Sequence, residues 1–218
     1  MTERFSAARM EPYLDAAGGD GTLAARLYHW NIRIGAAFFE DIGVVEVLLR
    51  NALDGALRDH FQSGTDETPW YDRTGVLLTT SYKAVDGAKD DVRRYTGMGD
   101  DREPDQDDVT ARLGFGFWLM LLNRNHAVRV GPIFRQCFLA PSGRPIHPDD
   151  VSTRAEDLGE LRNAIAHHHP IFNWDFTTSA TYVSEIAGWI SQPIRAWLMS
   201  QSRVSEVLEK NPLQNTPA

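Results

Sequence analysis

The sequence predicts an all-α protein, and three observations support this fold class. Apolar residues recur every three or four positions through most of the 218-residue chain, as they do on one face of a helix. No segment alternates apolar and polar residues well enough to be a strand. Hydrophobic residues make up 42% of the chain and charged residues 24%, which is the composition of a globular protein with a core.

The N-terminal part predicts a short helix followed by a very long one. Residues 3–17 form the short helix, because the Gly-Gly-Asp-Gly sequence that follows is a good helix stop. From Gly21 to Phe61 apolar residues step by three or four, which predicts one long helix or two in line. Gly43 costs a helix about 1 kcal/mol relative to Ala, so we expect a bend there at most.

A loop and a third helix are expected next. Residues 62–79 mix turn residues with aromatic residues and show no sustained period, which is typical of a packed loop. Thr80 or Ser81 then has the side chain of a helix cap, and the helix runs to about Tyr95.

An acidic run separates this helix from two apolar ones. Residues 97–108 contain most of the clustered negative charge and predict a solvent-exposed loop, either a plain linker or an autoinhibitory strap. Its Asp107 and Asp108 suit a helix N-terminus, where the helix dipole favours anions. Residues 109–123 and 126–138 then predict two apolar helices around a short hinge.

The C-terminal third predicts two amphipathic helices. Residues 149–168 place apolar residues on one stripe behind a cap at Asp149 or Asp150, and Pro170 ends this helix. Residues 177–200 form the last long element, with a kink or a new helix start at Pro193. Residues 211–218 predict a disordered tail.

Charge and composition limit the function classes. The net charge of −8 argues against general binding of nucleic acids, whose phosphates select basic surfaces. However, 19 of the 22 basic residues are Arg, the side chain best suited to binding phosphate, which leaves room for a locally basic site. The longest apolar stretch, residues 114–122, is far shorter than a membrane span, and the single Cys137 suits a reducing compartment. We therefore expect a cytoplasmic protein without a membrane partner.

The segment with the strongest candidates for catalytic residues is residues 161–172, with the sequence Leu-Arg-Asn-Ala-Ile-Ala-His-His-His-Pro-Ile-Phe. Four residues separate Arg162 from His167, and a chain of this composition would contain about two Arg-x4–6-His matches by chance, so the spacing alone is a weak signal. On a regular helix Arg162 and His167 lie about 140° apart, whereas Asn163 and His167 lie about 40° apart. A break in the helix before Pro170, or a second copy of the helix at a two-fold axis, would bring Arg162 and His167 together. The second arrangement predicts a homodimer with a composite site.

Such a site could cleave RNA without a metal. His167 can accept or donate a proton near neutral pH, because an ordinary imidazole has a pKa of about 6.5. Arg162 can hold a phosphate and stabilise the charge that develops on it. The nucleophile would be the ribose 2′-OH, so DNA would be inert. In the alternative, His167 only interacts with the last carbonyls of its helix and Arg162 is solvated or salt-bridged.

The residues around this pair resemble those of a known family. Arg162-Asn163, followed by Ala166-His167-His168 and Pro170-Ile171-Phe172, is similar to the pattern of the Abi-like (abortive infection) proteins of the HEPN superfamily. The hallmark of that superfamily is an Arg-polar-x3-His motif near the end of a helix.

Two further motifs extend the resemblance, which covers residues 23–208. Upstream, Tyr28, Trp30-Asn31 and the segment Glu46-Val47-Leu48-Leu49-Arg50-Asn51 are similar to the family's first motif, an acidic residue followed by Leu-Arg-Asn in a long helix. Downstream, the resemblance includes Gly188-Trp189-Ile190-Ser191. Three motifs in the family's order are more specific than Arg-x4-His alone.

The resemblance implies a HEPN-like helical bundle with additional N-terminal and peripheral helices, as a single domain over residues 1–210. It implies a homodimeric, metal-independent endoribonuclease without a cofactor, an antiphage effector or toxin that an antitoxin or another partner could regulate. Arg162 and His167 occupy the positions of the catalytic Arg and His, and Asn163 the polar position. The implied substrate-binding or supporting residues are Glu46, Arg50, Asn51 and His168.

Several alternatives stay open. A module of the same fold could bind RNA, a nucleotide or a protein without cleaving it, and His169 and Ala164 depart from the acidic residue and the Arg common at those positions. Glu46 and Arg50 have the spacing of a helix salt bridge, while Arg50 and Asn51 could instead face RNA or brace Arg162.

The run His167 to His169 could also bind a metal with His147 or Asp175. Adjacent residues of a helix point in different directions, however, so we expect no metal site.

Overall fold

The computed structural model describes residues 4–62, 66–99 and 102–214, except for the side chains of residues 124, 125, 127 and 128. The described residues are all-helical, as predicted, and contain no strand, only an isolated bridge between Leu139 and Pro145. A short 3₁₀-helix covers Trp70–Asp72. The α-helices are α1 (Ala7–Ala16), α2 (Gly21–Phe61), α3 (Thr79–Thr96), α4 (Gln106–Arg112), α5 (Phe115–Leu122), α6 (Arg124–Phe134), α7 (Pro148–Ala166), α8 (Phe176–Ile190), α9 (Gln192–Gln201) and α10 (Val204–Leu208).

Helix α2 is the central element of the fold. It runs without a break for 41 residues, about 60 Å, so the prediction of one long helix is confirmed. The Asp20 carboxylate caps its first turn by accepting hydrogen bonds from the backbone N–H groups of Thr22 and Leu23, at 2.7 and 3.1 Å. Gly43 lies inside the continuous helix.

Most of the other helices pack against α2. It contacts α1, α8 and α10, and its Trp30 donates a 2.7 Å hydrogen bond to the carbonyl of Val207 in α10. It also contacts α5 and α6, and its buried Asp54 accepts hydrogen bonds from Trp70 of the 3₁₀-helix and Thr110 of α4. Helix α7 also packs against α2, and the buried apolar residues of all these helices form one continuous core.

Two predicted helices in the middle of the chain differ from the observed ones. Residues 109–123 form two helices, because the backbone is extended at Leu113 and Gly114. The next helix, α6, covers Arg124–Phe134 and not residues 126–138. The acidic residues Asp107 and Asp108 do lie in the first turn of α4, as predicted.

Two predicted caps are also wrong. Leu78 precedes α3 and offers no side-chain cap, while the predicted Ser81 is buried inside the helix 3.1 Å from Nε2 of His126. The cap of α7 is His147, whose Nδ1 accepts a 3.2 Å hydrogen bond from the backbone N–H of Asp149. Asp149 and Asp150 instead lie in the first turn of α7.

The C-terminal element is two helices rather than one. Helix α8 ends at Ile190, Ser191 caps α9, and Pro193 lies in the first turn of α9 as a new helix start predicts. Of the expected tail, Asn211 and Pro212 are buried, while residues 215–218 lie outside the described residues. None of the helices in the described part combines the length and apolarity that crossing a lipid bilayer requires.

Candidate functional site

The C-terminal end of α7 forms a tight turn that presents three histidines. The helix ends at Ala166, and His167 is its C-cap residue. His168 has a φ of +56°, its backbone N–H donates to Ile165 at 2.9 Å, and the N–H of His169 donates to Ala164 at 2.8 Å. This is the hydrogen-bond pattern of a Schellman motif, with His168 in the left-handed position that glycine usually occupies. The chain therefore leaves the helix before Pro170.

This break does not bring His167 next to Arg162. His167, as the C-cap residue, still follows the last helical turn, so the two side chains leave α7 in different directions. No hydrogen bond or ring contact among the described residues joins them. Within a single copy of the chain, the side chains of Arg162 and His167 therefore do not contact each other.

The His169 side chain joins the site, although its role was not predicted. The ring centroids of His167 and His169 lie 5.9 Å apart, with a 32° angle between the ring planes. All three histidines of the turn are exposed. Two imidazoles thus lie close enough to act on one bound group.

Residues from α1 and α2 fix the backbone of this turn. The Arg9 guanidinium donates a hydrogen bond to the carbonyl of His168. The buried Asn31 donates from Nδ2 to the carbonyl of His169 at 3.4 Å and accepts at Oδ1 from the N–H of Ile171 at 2.7 Å. The histidine turn is therefore anchored from two separate helices.

Arg162 of α7 is half-buried, and its side chain packs against α2. Its guanidinium carbon lies 5.9 Å from the ring centroid of Phe39. Its Nη1 lies 3.4 Å from Oδ1 of the exposed Asn163, and its Nε has no hydrogen-bond partner among the described residues. A half-buried guanidinium is suited to binding an anion such as phosphate.

The upstream motif lies on the same surface but further along α2. Glu46 and Arg50 follow Phe39 by seven and eleven residues, which places them on the same helix face about 10 and 16 Å away. Of the two alternatives for Arg50, the ion pair with Glu46 is not formed among the described residues. Arg50 instead donates to the carbonyl of Ala111 at 3.3 Å and lies 3.4 Å from Oδ1 of Asn51. Arg50 therefore contacts α4 and not Arg162.

A groove of about 690 Å³ opens beside the histidine turn, between α1, α2 and the end of α7. We call it the α1–α2 groove. Arg9, His168 and His169 supply polar groups, and most of the remaining lining is apolar. Its apolar lining includes Tyr13, Tyr28, Ile32, Phe39, Ile165 and Ile171.

Sequence reasoning missed Arg9, Tyr13 and Phe39. Arg9 and Tyr13 precede residue 23, so they lie outside the resemblance to the Abi-like proteins. Phe39 carried one usable signal, its position seven residues before Glu46 on the same face of the long helix.

The residues described by the structure contain no group of three or more His, Cys, Asp or Glu side chains arranged to hold a metal ion. His147 caps the start of α7, and the Asp175 carboxylate caps α8 by accepting from the N–H of Thr178 at 3.0 Å. Both proposed extra ligands are thus engaged as helix caps.

Fold and site together define an all-α protein with an arginine and a histidine turn at one helix end. Comparisons of the chain with protein-family models, with curated proteins and with solved structures find no match.

Proposed function

We propose that this protein is a metal-independent endoribonuclease of the HEPN type, an abortive-infection effector or toxin that acts on RNA as a homodimer. The observation that supports this most directly is the end of α7, which carries the half-buried guanidinium of Arg162 and two neighbouring imidazoles that face solvent. These are the groups that phosphodiester cleavage requires: a cation for the phosphate and residues that move protons.

In the proposed reaction the ribose 2′-OH attacks the adjacent phosphorus, forming the O2′–P bond and breaking the P–O5′ bond. His167 accepts the proton of the 2′-OH, and a second imidazole donates a proton to the leaving 5′ oxygen. Arg162 stabilises the negative charge that develops on the phosphorane oxygens, and Asn163 orients the guanidinium. The products are a 2′,3′-cyclic phosphate and a 5′-OH end.

A homodimer would complete the site. One copy presents Arg162 and His167 in different directions, so a second α7 related by a two-fold axis is needed to bring an arginine of one copy to a histidine of the other. Phe39, which contacts the Arg162 guanidinium, and Val47 are two exposed apolar residues of α2. A contact between two copies at these residues would bury apolar surface and place both sites nearby.

The test is incubation of purified wild type and His167→Ala with total RNA in EDTA. Wild type is expected to produce fragments with 2′,3′-cyclic phosphate and 5′-OH ends, and His167→Ala none. His60→Ala is the matched control, because His60 is an exposed histidine of α2 about 30 Å along the helix from Phe39. Intact RNA in every lane, or cleavage by His167→Ala, would contradict the proposal.

The second candidate is a helical module that binds RNA, a nucleotide or a protein without cleaving it. The observation that favours it is the separation of Arg162 from His167 within one copy of the chain. Under this alternative, wild type binds RNA and leaves it intact, and His167→Ala keeps most of the binding.

A further inference from the structure

The α1–α2 groove has the size of a small-ligand site and an uncovered apolar wall. Its volume of about 690 Å³ lies within the roughly 300–1,000 Å³ typical of ligand pockets. Ile32, Ala36 and Phe39 follow one another at helical spacing on one face of α2 and line the groove. Ile32 is 51% exposed and Phe39 is 45% exposed. Exposed apolar residues that line a groove of this size mark a surface suited to an apolar ligand.

The groove is apolar on its other side and elongated. Ile165 of α7 and Ile171 after the histidine turn line it, and a Cβ added at Gly35 of α2 would lie 3.5 Å from each of these isoleucines. Along α2 the lining extends from Tyr28 to Phe39, about 16 Å of helix. A long, narrow apolar group would therefore contact hydrocarbon from both α2 and α7.

One guanidinium lies at the α1 side of the groove. Arg9 is the only arginine or lysine among the described residues that line it. Arg9 is half-buried and donates a hydrogen bond to the carbonyl of His168, and no ion pair of Arg9 occurs in the part of the chain that the structure describes. A guanidinium has five N–H donors, so donors and a full positive charge remain for an anion.

The acidic residue of the groove is already neutralised. Glu40 lines the groove, but Arg203 pairs with both of its carboxylate oxygens at 3.1 and 2.5 Å. The permanent charge that the lining leaves without a partner is therefore the positive charge of Arg9. A ligand with a single negative charge and a long apolar body complements this arrangement.

We propose that the α1–α2 groove binds an alkyl carboxylate with the chemistry of a medium-chain fatty acid. Its carboxylate pairs with Arg9, and its alkyl chain lies along Ile32 and Phe39. One guanidinium matches one carboxylate in charge, and its planar donors match the two carboxylate oxygens in geometry. The inference goes beyond the proposed function, because Arg162 and His167 do not line the groove and RNA cleavage is not needed for binding.

The experiment measures binding of decanoate by isothermal titration calorimetry, below the concentration at which decanoate forms micelles. Wild type is expected to bind decanoate at least 10-fold more tightly than decyltrimethylammonium, which has the same chain and a cationic head. Butanoate keeps the carboxylate and loses six CH₂ groups, so it is also expected to bind at least 10-fold more weakly. Absence of decanoate binding, or equal affinity for either comparison ligand, overturns the proposal.

A charge variant tests the carboxylate position. Arg9→Gln removes the positive charge and keeps an N–H donor for the carbonyl of His168. It is expected to weaken decanoate binding about 10- to 100-fold, as the loss of a hydrogen bond between charged groups predicts. Arg26→Gln is the matched control, because Arg26 is an exposed arginine of α2 outside the groove. Equal affinities of these two variants overturn the proposal.

An apolar-wall variant tests the position of the alkyl chain. Ile32→Asp places a negative charge on the path of the chain and is expected to weaken decanoate binding at least 10-fold. Val47→Asp is the matched control, because Val47 is another exposed β-branched residue of α2 and lies outside the groove. Equal decanoate affinities of the two variants overturn the proposal. If a second copy of the chain covers the apolar wall instead, Ile32→Asp lowers the sedimentation coefficient and wild type does not bind decanoate, which also overturns it.

Discussion

The side chain of Asn31 accepts a 2.7 Å hydrogen bond at Oδ1 from the backbone N–H of Ile171. The same amide donates from Nδ2 to the carbonyl of His169, so Asn31 forms hydrogen bonds with the backbone on both sides of Pro170. Asn31 is 6% exposed, and hydrogen bonds shielded in this way are costly to break. Helix α2 thereby positions the histidine turn at the end of α7.

Asn31→Leu is expected to lower the free energy of unfolding by about 1–3 kcal/mol, because it leaves the N–H of Ile171 buried without an acceptor. Urea unfolding followed by circular dichroism measures this loss. Asn51→Ala is the control, since Asn51 is an exposed asparagine of the same helix and its loss should change stability by less than about 0.5 kcal/mol. Equal stabilities of the two variants would show that the Asn31 contacts contribute little.

The left-handed residue His168 provides a second stability test. A non-glycine residue in this conformation is disfavoured by about 1–2 kcal/mol, whereas glycine adopts it without steric cost. His168→Gly is therefore expected to be more stable than His168→Ala by about 1 kcal/mol in urea unfolding. Both variants lack the imidazole, so the comparison isolates the backbone. If His168→Ala is as stable as His168→Gly, the turn does not hold the positive φ in solution.

Local sequence patterns predicted most of the helices, and the errors have physical causes. The long α2 was predictable because its apolar residues keep one helical period over 41 residues. The break at Gly114 was missed, because the buried apolar residues Val109, Leu113 and Phe117 keep a four-residue spacing across it. The cap at His147 was missed because histidine is not among the usual capping residues, although its Nδ1 accepts the required hydrogen bond.

The candidate site was only partly predictable. Arg162, Asn163 and the histidines are neighbours in sequence, so a motif can reveal them. The contact between Arg9 and His168 spans 159 residues, and the packing of Arg162 on Phe39 joins α7 to α2. Contacts of this kind depend on tertiary packing and leave no periodic pattern in the sequence.

Asp41 predicts a pH dependence of stability. This buried carboxyl accepts a 2.6 Å hydrogen bond from the Ser202 hydroxyl, yet burial raises its pKa above the ordinary value of 3.8, with the nearby Glu40 adding to the rise and Arg203 opposing it. The folded state therefore keeps the proton of Asp41 to a higher pH than the unfolded state does. Stability from this group is full below the unfolded pKa and is lost as the pH rises through the folded pKa.

Asp41→Asn removes this titration and retains an oxygen that accepts the hydrogen bond from Ser202. We expect the stability of wild type relative to Asp41→Asn to fall as the pH rises above about 3.8 and to become constant once Asp41 is ionised in both states. Urea unfolding of both proteins between about pH 3.5 and 7 gives this difference directly. A difference that is independent of pH would mean that the pKa of Asp41 is the same in the folded and unfolded states.

Mixing two inactive variants tests whether Arg162 and His167 act across a dimer. Arg162→Ala and His167→Ala are each expected to lower the rate of RNA cleavage by about 100- to 1,000-fold, since one removes the stabilising cation and the other the proton-transfer group. If each site takes its arginine from one copy and its histidine from the other, a mixed dimer contains one intact site and one doubly mutated site. Co-expression at equal levels makes about half of the dimers mixed, so cleavage should recover to roughly one quarter of the wild-type rate. Sites that lie within a single copy cannot be restored by mixing, and a co-expressed pair as inactive as either variant alone would therefore exclude the composite site.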